Sequence, residues 1–181
     1  AIDELLAWGM KFDEDAAGAI DLGREAAHRH PRILHAGGAA TGRELMRCLT
    51  QRLNMCDNVR QFRACFALDL LTLDDAPRSE RRVLGAITHH ERYGLQIIWA
   101  RSTILATGGA GQVYRETSNP RVATGDGIAI AYRAGAEVAD LEVTQVHPTT
   151  LYIAGAARRL ISEAVRGEGA SLVDRTGRRF M

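Results

Sequence analysis

The spacing of apolar residues changes several times along this chain, and each change predicts an element. Residues 3–10 read as a short helix, followed by an acidic, glycine-punctuated connection through Asp13, Glu14, Asp15 and Asp21. Leu45, Leu49 and Leu53 then recur at helical spacing, and Thr41 with Glu44 three positions on forms a capping-box pattern. Together they predict a helix over 42–53. Beyond Asn54 the β-branched and aromatic residues gather in 58–73, 82–88, 95–99 and 102–107, separated by polar turns, and these runs predict strands. His89-His90-Glu91-Arg92-Tyr93-Gly94 reads as a hairpin connection with both histidines solvated. Thr103-Ile104-Leu105-Ala106 is a buried strand that flows into a tight turn, Thr107-Gly108-Gly109-Ala110-Gly111. A helix over 124–134, a strand over 137–146, a helix over 158–166 and a final hairpin over 171–181 complete the pattern. In the last helix Leu160, Ile161, Ala164 and Val165 form one inward stripe, which leaves Ser162, Glu163 and Arg166 off it. This order of elements predicts an α/β fold for most of the chain and an α+β start at its carboxyl end.

Composition narrows the functional classes. The 181 residues are 46% hydrophobic and 25% charged, the balance of a globular domain, or of one domain and part of a second. A net charge of +1 makes no electrostatic case for a nucleic-acid partner. Lys11 is the single lysine among 23 basic residues, a bias that carries no functional message. Apolar runs such as 95–100 fall far short of the roughly 20 residues that span a bilayer, so no transmembrane segment is expected. Asp3 and Glu4 stand where a signal peptide would carry basic residues. Cys48, Cys56 and Cys65 form no C-x-x-C pair, which favours a reducing, cytoplasmic compartment over a disulfide framework. The absent initial Met and the stop at Phe180-Met181 just after a turn suggest an internal piece of a longer protein.

Four segments could carry chemistry. Glycines at the end of a buried strand, as at 107–111, let a ligand approach the backbone where open α/β sheets bind nucleotides; an ordinary glycine turn is the plainer reading, since the full G-x-G-x-x-G pattern is absent. Thr124-Gly125-Asp126-Gly127 opens a helix whose amides favour an anion, and Asp126 can accept a hydrogen bond from a sugar hydroxyl; a plain helix cap is the alternative. In Gln145-Val146-His147-Pro148-Thr149 the residues two apart share one side of an extended chain, so Gln145 and His147 face one pocket, unless the histidine is merely structural. Glu163 and Arg166 are either part of a site with Ser162 or a surface ion pair. His28, His30 and His35 lack metal-ligand spacing, so no metal is expected, and there is neither a G-x-S-x-G motif nor a P-loop.

Taken together, Ala106-Thr107-Gly108-Gly109, Thr117-Ser118-Asn119-Pro120, Thr124-Gly125-Asp126-Gly127-Ile128-Ala129, Arg133-Ala134-Gly135-Ala136, Gln145-Val146-His147-Pro148-Thr149 and Ile161-Ser162-Glu163-Ala164-Val165-Arg166-Gly167-Glu168-Gly169-Ala170 resemble the succinate dehydrogenase and fumarate reductase flavoprotein family. Upstream, Arg24-Glu25-Ala26-Ala27-His28, Arg32-Ile33-Leu34-His35-Ala36 and Thr41-Gly42-Arg43-Glu44, with Asn119-Pro120, are similar to its aspartate-oxidising branch. The resemblance covers nearly the whole chain. It implies part of a Rossmann-like FAD-binding domain over 1–140 and the beginning of an α+β substrate-capping domain over 141–181. It also implies FAD-dependent oxidation of L-aspartate to iminoaspartate in NAD biosynthesis, with oxygen or fumarate as acceptor and coupling to quinolinate synthase. By match to the motifs, Thr107, Gly108, Gly109 and Asp126 would touch FAD. Gln145, His147, Ser162 and Glu163 would bind the substrate carboxylates, and Glu25 would face the amino group that distinguishes aspartate from succinate.

Departures from the pattern matter too. The amino-terminal dinucleotide-binding unit and the downstream proton-transferring arginine have no counterpart here, so these 181 residues alone are not expected to hold FAD tightly or turn over. Ala26, Ala27, Ala39, Val143 and Val146 replace the family's usual residues, the alanines near the flavin and the valines beside the Gln and His. A succinate dehydrogenase or fumarate reductase flavoprotein subunit and a non-catalytic remnant of the fold are the competing readings.

Overall fold

The computed structural model describes residues 1–180 apart from Ala27, 74–76, 78–79 and 156–157. The departure at Ala27 therefore lies outside the described residues. The chain forms two compact units, Ala1–Arg60 with Leu160–Met181, and Gln61–Arg159.

In the first unit α1 (Ile2–Ala7) and α2 (Thr41–Asn54) meet at Cys48, whose side chain is fully buried with its thiol 3.5 Å from the Trp8 carbonyl oxygen. The predicted capping box does not form. Ala40 occupies the position before α2, and the Thr41 hydroxyl instead accepts the Ala36 amide at 3.2 Å. Glu44 turns outward to accept the Lys11 amide at 3.0 Å and to pair with Arg47 at 2.6 Å, so a long-range bond and a cation replace the local reciprocal one. These bonds, Arg47 first and Lys11 second, hold its carboxyl at about 2 instead of 4.5. Nearby, Asp13 accepts the Gly37 and Gly38 amides at 2.7 and 2.8 Å, and these bonds, Gly38 foremost, lower its pKa. A short ribbon pairs β1 (Leu22–Gly23) antiparallel with β2 (Ile33–Leu34).

The last helix is much shorter than its apolar stripe predicts. Residues Arg159–Leu160 form β7 and only Ala164–Gly167 form α4. Ser162 accepts the Ala164 amide at 3.2 Å, a local side-chain bond that starts the helix late and leaves Leu160 and Ile161 outside it. The closing turn at 174–178 matches expectation: Asp174 accepts the Thr176 hydroxyl and the Thr176 and Arg178 amides, which together depress its pKa, and Val173 bridges Arg179.

The second unit is built on an antiparallel meander of β3 (Cys65–Thr72), β4 (Val83–His90) and β5 (Gly94–Trp99), in that spatial order. Alternation places Phe66, His89 and Leu95 side by side on an exposed face, and Ala67, Thr88 and Gln96 on the more buried one. His89 and His90 extend β4 and are not part of the turn; His90 pairs with Gly94, and its Nδ1 accepts the Arg92 amide. An irregularity between Ala67 and Asp69 frees the Leu68 carbonyl, which accepts Nη2 of Arg133 from α3 (Asp126–Ala134), while Asp69 takes Nε at 2.8 Å.

The strand predicted over 58–73 begins only at Cys65, after Ala64 turns into positive φ. Those predicted over 102–107 and 137–146 are not strands at all. A strand is defined by its ladder, and among the described residues none pairs with these segments. Ile104 is 90% exposed where a buried strand was expected. Two-residue β6 (Thr150–Leu151) lies beyond them instead.

Candidate functional site

The second unit brings two of the predicted segments onto one another. Gly125, at φ 80°, precedes α3 and donates its amide to the Gly109 carbonyl at 3.2 Å. A Cβ at Gly127 would lie 1.8 Å from the Thr107 hydroxyl oxygen, and one at Gly125 would lie 2.9 Å from the Ala110 methyl. Glycine at 127 is therefore what allows the turn at 107–109 to rest on the first turn of α3. On the other side, a Cβ at Gly108 or Gly109 would meet nothing within 4 Å, so the chain leaves that backbone open to an approaching group. Asp126 lies exposed at the same end, hydrogen-bonded to the Thr124 hydroxyl. Gly125 is the N-cap residue of α3, and no side chain hydrogen-bonds to the helix end.

Gln145 and His147 also come together, both lining a cleft of about 920 Å³ whose walls include Tyr114, Asn119, Tyr152 and Arg158. Their convergence does not come from strand alternation. The Thr144 hydroxyl donates to the Tyr114 oxygen at 2.8 Å, pinning the segment to the loop that leads into α3. His147 Nδ1 accepts the Thr149 amide at 3.2 Å and faces the Thr149 hydroxyl at the same distance. With Nδ1 accepting, the ring presents Nε2 as its donor. Arg158 stacks on Tyr152 with its guanidinium carbon 4.2 Å from the ring centre and pairs with Glu116 at 2.7 Å, placing a cation in the wall of the cleft. Tyr114 and Arg158 were not singled out by sequence. Tyr114 lies in no predicted element and Arg158 opens the predicted 158–166 helix off its apolar stripe, so only the fold reveals their place in the cleft.

Glu25, Ser162 and Glu163 belong to the first unit. Glu163 accepts Nη2 of Arg166 at 2.8 Å, the ion pair that its spacing allows, and is half-buried. The Ser162 hydroxyl is engaged with the start of α4. Arg24, beside Glu25, donates Nε and Nη2 to the Gly167 carbonyl at 3.2 and 2.9 Å. Oε2 of Glu25 is buried without a hydrogen-bond partner, and so are Nδ1 of His28 and Nε of Arg166. A carboxylate oxygen withdrawn from water and unpartnered is costly, and a cationic ligand is the natural group to offset that cost.

The chain matches the FAD binding domain family over residues 1–181. It is 46% identical to the L-aspartate oxidase of Streptomyces coelicolor, over 100% of this chain and 31% of that protein. It is 44% identical to the L-aspartate oxidase of Bacillus subtilis, over 99% of this chain and 32% of that protein. Among solved structures, an E. coli quinol fumarate reductase superposes at a TM-score of 0.86 with 29% identity, covering 98% of this chain and 29% of its own. The chain thus spans about a third of the length of the curated relatives it matches.

Proposed function

This chain belongs to the FAD binding domain family, and from that premise we propose that it forms the central part of a flavoenzyme oxidising L-aspartate to iminoaspartate. FAD is the cofactor this membership indicates, and the residues present fit it: an open glycine backbone at 108–109, seated on α3, with Asp126 exposed beside it. When bound, FAD supplies the hydride acceptor, which protein side chains cannot. In this reading Thr107, Gly108, Gly109 and Asp126 hold the cofactor, and residues 1–140 are part of a Rossmann-like FAD-binding domain, with 141–181 opening the substrate-capping domain.

The remaining residues bind and orient the substrate. By match to the family motifs, Gln145, His147, Ser162 and Glu163 bind the substrate carboxylates. Charge-assisted hydrogen bonds of this kind fix the α-carbon, and hydride transfer depends on that positioning more than on acid or base strength. Glu25 receives the ammonium group. The observation that carries the choice of aspartate is the buried, unpartnered Oε2 of Glu25: succinate and fumarate bring no cation to it, whereas aspartate does. The relatives named L-aspartate oxidase support the same choice. A role in NAD biosynthesis, oxygen or fumarate as acceptor and coupling to quinolinate synthase derive from this reading and stand or fall with it.

The test is anaerobic reduction of the flavin in the protein that carries this chain. Bleaching of the flavin band by L-aspartate and not by succinate is the expected result. Reduction by succinate alone would move the assignment to the fumarate reductase and succinate dehydrogenase branch, and absence of any flavin band would favour a non-catalytic remnant.

A further inference from the structure

We infer that Arg24 and Gly167 form a clamp that holds the Glu25 segment in register with α4, and that this clamp is a determinant of amine-bearing substrates. The inference rests on the assignment of Glu25 to the substrate ammonium and names the residues that position it.

Both halves of the contact are specific. The guanidinium of Arg24 donates twice to one acceptor, the Gly167 carbonyl at the end of α4. A charged donor with two hydrogens on one oxygen makes a stronger and more directional bond than a neutral pair. In the other direction, a Cβ at Gly167 would lie 1.9 Å from the Arg24 carbonyl oxygen and 3.1 Å from the Glu25 carbonyl carbon. The 24–25 peptide therefore lies directly on Gly167, a distance that only glycine permits. Gly167 is itself buried, and its amide donates to the Glu163 carbonyl at 2.9 Å. An unbroken path of hydrogen bonds and close contact thus runs from the backbone of Glu25 through Gly167 to Glu163.

The consequence is geometric. Glu25 and Glu163 are 138 positions apart in sequence (163 minus 25), yet the clamp makes their segments one body. A buried carboxylate discriminates between an ammonium and a hydrogen only if it cannot swing away, because its selectivity comes from being left unpaired with the wrong ligand. Loosening the clamp lets Glu25 relax, and the distinction between aspartate and succinate fades.

The experiment uses the flavin-loaded protein that carries this chain, with Arg24→Met, which keeps an apolar stem and removes the donors, Arg24→Lys, which restores a cation, and Gly167→Ala. For Arg24→Met, KM for L-aspartate rises about tenfold to a hundredfold while kcat changes little, and binding of succinate as a competitor is unchanged, so the ratio of the two affinities falls. Arg24→Lys recovers part of that ratio. Amide hydrogen exchange provides a readout independent of turnover: in Arg24→Met, protection drops at 24–25 and 164–167 together and is unaltered in the second unit. Equal losses for both ligands, or a changed ratio without a change in exchange at 164–167, would overturn the clamp. Failure of the wild-type protein to accept L-aspartate would defeat the functional assignment instead, while joint exchange of the two segments would still report whether they are coupled. Gly167→Ala, if it folds, gives the same affinity signature as Arg24→Met.

Discussion

At the scale of single residues, this chain relies on carboxylates that capture backbone amides. Glu44, Asp13 and Asp174 each ionise more readily in the folded chain than in an unfolded one, through Arg47 and the Lys11 amide, the Gly38 and Gly37 amides, and the Thr176 hydroxyl and Arg178 amide respectively. Because these folded-state values are depressed, the unfolded chain binds more protons as acid is added, and stability falls as pH falls. The stabilisation from Glu44 is complete above its ordinary value of 4.5 and disappears as pH drops through about 2. Urea melts of the full protein across that interval should show falling midpoints, and Glu44→Gln should flatten the slope; an unchanged slope would mean that the ion pair with Arg47 contributes nothing. A second residue-scale expectation concerns Gly127. Alanine there must displace Thr107, whose hydroxyl lies 1.8 Å from the new methyl, at a cost of about 1–3 kcal/mol. Gly127→Ala should release flavin from the full protein on gel filtration; retained flavin would show that the 107–109 turn can shift without loosening the cofactor.

At the scale of elements, helices here are fixed less by their own propensity than by what they touch. The docking of α1 on α2 turns on Cys48, which has no exposed surface. Cys48→Leu overfills that contact and should cost about 1–3 kcal/mol by denaturant melting; a wild-type melt would show that the two helices can part without loss. By contrast, the Arg133–Asp69 pair joining α3 to β3 is open to solvent, the Arg133 side chain 49% exposed and that of Asp69 35%. Arg133→Ala should therefore lower stability by no more than about 1 kcal/mol, and a larger loss would show that the bond to the Leu68 carbonyl is what matters.

At the scale of the whole molecule, exposed apolar surface dominates. Leu95, Ile97 and Trp99 on β5 are 70, 52 and 68% exposed, Phe66 on β3 is 55%, and Ile104 is 90%. Contiguous apolar faces and unpaired strand edges invite association. The 181 residues expressed alone are expected to bind an apolar dye and to scatter light at micromolar concentration; a monodisperse, dye-free monomer with a sharp melt would contradict this. The five helix and meander elements α2, β3, β4, β5 and α3 form in spite of that exposure, because each satisfies its own backbone hydrogen bonds with residues present in the chain.

That distinction separates what sequence settled from what it could not. Periodicity marked α2, α3 and the meander because the partners of their hydrogen bonds lie close in sequence, within one helix or across one turn. The same reasoning misread 102–107 and 137–146, whose β-rich composition is real but whose ladder needs strands that no described residue supplies. It also overextended the last helix, where a single hydroxyl at Ser162 outweighs the apolar stripe. Spacing and residue type offered Thr107, Gly108, Gly109, Asp126, Gln145, His147, Ser162 and Glu163 only as candidates beside plainer readings; their roles, and Glu25 altogether, came from the family resemblance. Only the tertiary structure decided that Gly127 seats one turn on another, that Tyr114 pins the Gln145 segment, and that Arg24 grips Gly167. Those contacts join residues from distant parts of the chain, and their energy depends on distances of a few ångströms that no local pattern of side chains encodes.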